Sequence, residues 1–236
     1  MQPYQRDFVD FLLAAGALKV GSFKLKSGRI SPLFLNTGDL DTGARLGHVG
    51  RAYAATLLER LGAGGFDVVF GPAYKGIPLA VATVMALAEK GIDKAFLADR
   101  KEAKMHGAEA AGTAAAGRLL GRPPQPGTRY VLVDDVLTTG ATKDEAVTFL
   151  RQLDAAARFP ALLIVLDRQE RAPDGTDAVG AFTQRTGVPV LPVVRLTETV
   201  DHLAAKGVVG RDDLQRIRAY WAEFGTPDAQ AWALRA

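Results

Sequence analysis

The chain contains no cysteine. Disulfides, thiolate nucleophiles and cysteine-ligated zinc are thereby excluded, and a cytoplasmic location is the expectation. Long apolar runs are also lacking: the longest, Ala161–Leu166, is far too short to span a bilayer. The opening Met1-Gln2-Pro3-Tyr4-Gln5-Arg6-Asp7 turns polar and acidic before any apolar stretch, unlike a secretory signal. Nor is there a strong charge excess, since 29 Lys and Arg face 26 Asp and Glu. The pI of about 9.2 therefore does not by itself call for a polyanionic partner. No basic face interleaved with aromatics is visible, which argues against a nucleic-acid-binding module. Internal repeats are absent, and the one low-complexity stretch is Ala108–Ala116.

What remains is the balance of a globular protein, 48% apolar and 23% charged over 236 residues. That length fits one large α/β domain or a domain with a small appended lobe. Phe8, Phe11, Leu12 and Ala15 recur at helical spacing and predict an amphipathic helix over Asp7–Ala17. Gly21–Asn36 mixes apolar residues with Ser-Gly and Ser-Pro turn signals and predicts short strands or a hairpin. A helix over about Thr42–Leu61 follows, ended by Gly62. Short apolar runs then alternate with helices. The runs are Phe66–Phe70, Lys94–Ala98, Tyr130–Val133, Ala161–Leu166 and Val190–Val194, with helices over Ile77–Glu89 and about Thr142–Leu153. Such alternation implies parallel strands buried on both faces, with ligands at their carboxyl ends. Gly121–Gly127 reads as a proline-rich loop, Arg211–Phe224 as a helix, and Thr226–Ala236 as a loosely held tail.

The most informative segment is Val131-Leu132-Val133-Asp134-Asp135-Val136-Leu137-Thr138-Thr139-Gly140-Ala141-Thr142. A buried strand delivers two adjacent carboxylates to the sheet edge, then a hydroxyl-rich turn with one glycine leads into a helix. Backbone N–H groups of such a turn and the positive end of the helix dipole favour a phosphate dianion. Thr138, Thr139 and Thr142 can add hydroxyl donors, and Gly140 permits close approach or a positive φ. An acid pair beside a phosphate cradle makes sense when the ligand also carries hydroxyls, as a ribose 5-phosphate does. The competing reading makes Asp134 and Asp135 turn residues and Thr142 a helix cap; the strand before and the helix after weigh against it. No Gly-Lys-Ser/Thr follows, so a P-loop is excluded. Arg100, Lys101, Lys104 and His106 fall within seven residues. Alone they describe a solvated basic loop.

This segment resembles the phosphoribosyl-diphosphate motif of type I phosphoribosyltransferases. Further stretches resemble one branch, the bacterial orotate phosphoribosyltransferases: Pro3–Arg6, Phe23–Arg29, Phe70–Pro78, Arg100–Lys104 and Leu166–Arg171. They follow the family's order from residue 3 to about 225. The resemblance implies an α/β fold with a central parallel sheet flanked by helices. It also implies one domain over 1–236, in which a small hood from about 1–40 and 195–225 covers a core of about 41–194, with 226–236 as a tail.

By the same resemblance, phosphoribosyl diphosphate is held by Lys26, Tyr74, Lys75, Arg100, Lys101, Lys104 and His106, and by the run Asp134, Asp135, Val136, Leu137, Thr138, Thr139, Gly140, Ala141 and Thr142. Lys26, Lys101, Lys104 and His106 are the implied catalytic residues. Orotate is implied to lie near Phe34 and Leu35, with Thr138 and Arg168 at its polar edge. Phe34 has an equally ordinary reading as core packing, and Arg168, directly after a buried strand, as a structural ion-pair partner. The resemblance further implies Mg²⁺ held mainly by substrate and water, with no dedicated protein metal site. The implied working unit is a homodimer whose basic loop closes over the partner's site. Neither nucleic acid nor membrane is an expected partner.

The sequence departs from the family in a few places. Leu35 stands where relatives often carry a second aromatic, and Ala108-Glu109-Ala110-Ala111-Gly112 is poorer in glycine than the usual loop. Gly117–Thr128 reads as longer than usual, and the segment after Gly225 as additional. Two rivals keep the fold: a non-catalytic nucleotide-sensing regulator, which has no need of Lys101, Lys104 and His106, and a phosphoribosyltransferase for another base, against which Lys26-Ser27-Gly28-Arg29 and Asp167–Arg171 argue.

Overall fold

The computed structural model describes residues 1–25, 27–101, 116–121, 125–137 and 140–235. A six-stranded sheet forms the centre, with strand order β5-β4-β3-β6-β7-β8. Its parallel members are β3 (Val68–Gly71), β4 (Ala95–Asp99), β6 (Arg129–Asp134), β7 (Arg158–Asp167) and β8 (Val190–Arg195). The expected all-parallel pairing needs one correction. Leu119–Gly121, which overlaps the stretch read as loop only at Gly121, forms β5 and pairs antiparallel with β4 at the sheet edge. Antiparallel edge strands on parallel sheets are common because a short return closes them without a crossover helix.

Helices cover both faces, dividing the interior into two apolar clusters. β3, β6 and β7 are almost wholly buried, which is why they read as continuous rather than alternating apolar runs. On one side, α2 (Gly43–Leu61) and α3 (Gly76–Ala88) join the larger cluster through Tyr53, Leu57, Leu79 and Leu87. The Thr42 side chain accepts from Arg45 N at the start of α2 and Gly62 ends it at φ +69°, so both expected boundaries hold. On the other side, α4 (Ala141–Leu153) contributes Val147 and Leu150 to the second cluster, and α5 (Ala178–Thr186) contributes Phe182.

The N-terminal and C-terminal segments meet on the remaining flank. Helix α1 runs over Pro3–Ala14 rather than the expected Asp7–Ala17. Pro3 suits the first helical position, Gln5 Oε1 accepts Gln2 N at 2.7 Å, and Gly16 breaks the helix at φ +72°. The expected hairpin is present as β1 (Leu18–Lys24) and β2 (Ile30–Leu35), antiparallel with an irregularity between Val20 and Phe23. Two helices follow β8: α6 (Leu196–Ala205), which the sequence reading did not foresee, and α7 (Arg211–Phe224). The segment read as a loose tail instead forms α8 (Pro227–Ala233), with Ala229 and Trp232 buried. Trp232 Nε1 donates to Asp201 at 2.9 Å, and Thr226 N donates to the Gln169 carbonyl at 2.9 Å. No helix among the described residues is long and apolar enough to cross a membrane.

Candidate active site

The carboxyl end of β6 carries the adjacent acids. Their backbone is fixed first: Tyr53 OH from α2 donates to the Asp134 carbonyl at 2.6 Å, and Val165 N of β7 donates to that of Asp135 at 2.9 Å. Both side chains are buried and fully engaged. Asp134 accepts the Asp135 N–H at 2.9 Å and pairs with Lys143 Nζ at 2.5 Å. Asp135 accepts the Val136 N–H at 2.7 Å, Thr37 Oγ1–H at 2.6 Å and Lys75 Nζ at 2.7 Å.

These surroundings push the two acids apart. Burial raises the Asp134 carboxyl, against the opposing charge of Lys143. Burial also presses Asp135 upward, but hydrogen bonds from Lys75, Thr37 and the Val136 N–H outweigh it and hold the group below the usual carboxylate range. Tyr53, fully buried and facing both acids, is raised well above an ordinary phenol and stays a donor.

The turn after the acids leads into α4 through Gly140, which takes φ +82°. A side chain there would be strained and would also crowd Phe182 and Arg185. Ala141 and Thr142 open the helix, where N–H groups lack intrahelical partners. The Val136 N–H is already taken by Asp135, and the Leu137 side chain packs on the second apolar cluster. Thr138 and Thr139 lie outside the described residues.

Between β3 and α3 runs the Gly71-Pro72-Ala73-Tyr74-Lys75-Gly76 loop, in which the Ala73–Tyr74 peptide is cis and Tyr74 is exposed. A Cβ on Gly76 would come 2.7 Å from both the Val133 carbonyl oxygen and Pro72 Cδ, so only glycine lets this loop lie against β6. That approach carries Lys75 across to Asp135. The loop is also tied to β4, because Ala73 N donates to Asp99 Oδ1 at 2.7 Å. The other Asp99 oxygen faces Arg118 at 3.5 Å, and Arg118 stacks over Phe149 at 4.7 Å. Arg100 N donates to the Arg118 carbonyl at 2.7 Å, which closes the stem of the basic loop. Lys101 is exposed beside that stem, while Lys104 and His106 lie outside the described residues, as does Lys26.

The implied base-side residues occupy the neighbouring flank. Phe34 on β2 stacks on Phe23 with ring centroids 5.4 Å apart, and Leu35 packs on the larger apolar cluster. Two residues beyond, Thr37 reaches Asp135, so this strand runs directly toward the acid pair. Arg168 follows β7, and its guanidinium pairs with Glu170. Glu170 also accepts Tyr220 OH at 2.5 Å and faces Arg29 Nη1 at 3.3 Å.

The structure brings the acid pair, the start of α4 and Lys75 together, and places beside them Thr37, Asp99 and Lys143, with Glu170 next to Arg168, none of which the sequence reading had named as site residues. Lys143 left a signal. A lysine in the first turn of a helix opposes the dipole and calls for a nearby carboxylate.

The phosphoribosyl transferase domain family matches residues 37–191 of the chain. An orotate phosphoribosyltransferase of Halorhodospira halophila is 43% identical over 226 residues, covering 95% of this chain and 99% of that one. That of Saccharophagus degradans is 41% identical over 228 residues, with 95% and 99% covered. Among solved structures, the orotate phosphoribosyltransferase of Francisella tularensis superposes with a TM-score of 0.79 at 31% identity, covering 93% of this chain and 100% of that one. With relatives of this identity aligned along nearly its whole length, the chain belongs to the phosphoribosyltransferase family, in the orotate phosphoribosyltransferase branch.

Proposed function

We propose that the chain transfers the ribose 5-phosphate group of phosphoribosyl diphosphate to orotate, giving orotidine 5'-monophosphate and diphosphate for pyrimidine nucleotide synthesis in the cytoplasm. The observation that carries this reading is the acid pair at the end of β6, joined by Lys75 from the adjacent loop and followed at once by a helix start. It stands in a chain whose relatives named orotate phosphoribosyltransferase match along nearly its full length.

In this reading the 5-phosphate lies over the first turn of α4, on Gly140, Ala141 and Thr142 and the preceding threonines. The ribose hydroxyls donate to Asp134 and Asp135. The ammonium of Lys75 touches Asp135 while its side chain is two-thirds exposed, so it is free to turn toward a diphosphate. Tyr74 and Arg100 flank that group. The ring nitrogen of orotate gives up its proton and forms its bond to ribose C1 as the C1–O bond to diphosphate breaks; diphosphate leaves with the bonding electrons and takes up the proton. Positive character on the sugar and negative charge on the leaving group grow together. Lys26 from the β1–β2 turn and Lys101, Lys104 and His106 from the basic loop serve the departing diphosphate, and closure of the basic loop excludes water.

Mg²⁺ fits these residues. Asp134 and Asp135 offer only oxygen donors, the class this ion takes, and each is matched by a lysine, which suits an ion ligated mostly by diphosphate and water. When bound, it neutralises diphosphate charge. Phe34 and Leu35 flank the orotate ring, and Arg168 reads its carboxylate. The hood assignment of about 1–40 and 195–225 is supported by α7 packing on the β1–β2 hairpin. A homodimer is supported by the exposed apolar positions Val81 and Met85 on α3, about two and three turns beyond Tyr74.

The test is the ultraviolet loss of orotate with phosphoribosyl diphosphate and Mg²⁺, run beside uracil and hypoxanthine. Loss with orotate alone is expected. Turnover of another base in its place overturns the base pocket and keeps the phosphate site. Tight binding of phosphoribosyl diphosphate without any turnover makes the chain a regulator.

A further inference from the structure

Glu170 is a mostly buried carboxylate, its side chain 10% exposed, for which the mechanism above has no use. It gathers groups from three separate parts of the chain. Arg29 comes from the turn after β1, Arg168 from the end of β7, and Tyr220 from α7. The side chains of Glu170 and Arg29 are 10% and 16% exposed, whereas that of Arg168 is 38% exposed. Glu170, Arg29 and Tyr220 thus lie mostly inside, and Arg168 faces outward.

Arg29 is locked by more than Glu170. Its Nη1 donates to the Arg171 carbonyl at 2.6 Å, and its guanidinium lies 4.3 Å over the Phe224 ring. Arg168 is held by its backbone, since Trp221 Nε1 donates to its carbonyl at 3.0 Å. The next residue, Gln169, sits at φ +50° and is pinned on all sides. Its N–H donates to Asp167 at 2.8 Å, its side chain accepts Thr197 Oγ1–H at 2.9 Å, and its carbonyl accepts Thr226 N–H. The main chain on both sides of Arg168 is therefore fixed, and the direction of its guanidinium is left to Glu170.

We infer that Glu170, steadied by Tyr220, is a positioning residue that aims Arg168 at the substrate carboxylate. The inference rests on the proposed reading of Arg168 as an orotate contact. A guanidinium has donors along more than one edge, so one edge on Glu170 leaves another for a second carboxylate. The charges agree: two guanidiniums against one buried carboxylate leave a single positive charge, matching a single substrate carboxylate. The phenol of Tyr220 is raised well above its usual range by burial and by the Glu170 hydrogen bond, so it remains a donor.

The experiment is a double-mutant cycle in steady-state kinetics on the full chain, with Glu170→Gln, Arg168→Ala and the pair combined. Wild-type turnover of orotate first decides whether the substrate reading stands, separately from this inference. Glu170→Gln is expected to raise KM for orotate roughly tenfold, with a smaller change in kcat and in KM for phosphoribosyl diphosphate. On the Arg168→Ala background the same change is expected to add less than about twofold, because its target is gone. Tyr220→Phe, which removes one hydroxyl and is the milder change to the fold, is expected to raise KM for orotate about threefold. An equal penalty with and without Arg168 overturns the inference, as does an equal rise in both KM values. If Glu170→Gln does not fold, an unchanged KM for orotate in Tyr220→Phe overturns it.

Discussion

The two ends of the site are built in opposite ways. The proposed phosphate end is largely local: strand, acid pair, turn and helix start occupy one continuous run from Arg129 to Thr142, with Lys75, Thr37 and Tyr53 brought against it from neighbouring segments. The base end is assembled. Phe34, Arg168, Glu170 and Tyr220 come from a hairpin, a strand end and a late helix, and few of them are near one another in sequence. In the proposed reading the first end binds the phosphoribosyl diphosphate, and backbone geometry does most of the work there. The second has to choose one base, so it depends on side chains that the whole fold must place.

Lys104→Ala is the sharpest way to separate the ends by rate. It is expected to lower kcat by about 100-fold or more, the usual cost of losing one group that stabilises transition-state charge, with little change in either KM. Turnover within a few-fold of the wild type refutes the loop assignment.

Trp232→Ala probes the support of the base end. Helix α8 packs beside α7, whose Trp221 holds the Arg168 carbonyl. Loss of this buried indole is expected to cost about 3–5 kcal/mol in denaturant unfolding. A loss below about 1 kcal/mol returns the segment to the status of a tail.

Gly76→Ala tests the phosphate end by shape alone. A methyl group 2.7 Å from the Val133 carbonyl forces the loop off β6, at a cost of about 1–3 kcal/mol. Thermal unfolding measures this, and no loss means that the loop and strand are not pressed together.

The smallest effect lies away from both ends and serves as a reference. Asp67 is lowered to about 2, chiefly by its side-chain hydrogen bond with Arg129. The folded value lies below the ordinary one, so the pair stabilises above about pH 4, and the benefit fades as pH falls through about 2. The pair is exposed to solvent, and screening keeps its contribution the smallest of these effects. The Tm difference between the wild type and Asp67→Asn should shrink as pH drops from 7 to 2. A constant difference shows that charge is not the cause.

Legibility in the sequence followed the same division. The core strands, α2 and α7 were readable because apolar period, caps and turn residues all agreed there. Helix α6 was not, since Thr197, Thr199 and Val200 favour a helix poorly, and contacts such as His202 with Asp10 at 2.9 Å help to hold it. Helix α8 has too few residues to show a period, and only the burial of Trp232 reveals it. At the site, Asp134 and Asp135 announced themselves by position. Glu170 did not, because its partners at 29 and 220 are joined only by the fold.

The comparison is tested most directly by calorimetric titration of phosphoribosyl diphosphate with Mg²⁺ into the wild type, Asp135→Asn and Arg168→Ala. Asp135→Asn is expected to weaken binding by roughly tenfold or more, as for a charged hydrogen-bond acceptor, while Arg168→Ala stays within about twofold. Wild-type affinity in Asp135→Asn, or an equal loss in both variants, contradicts the division of the site into a local phosphate end and an assembled base end.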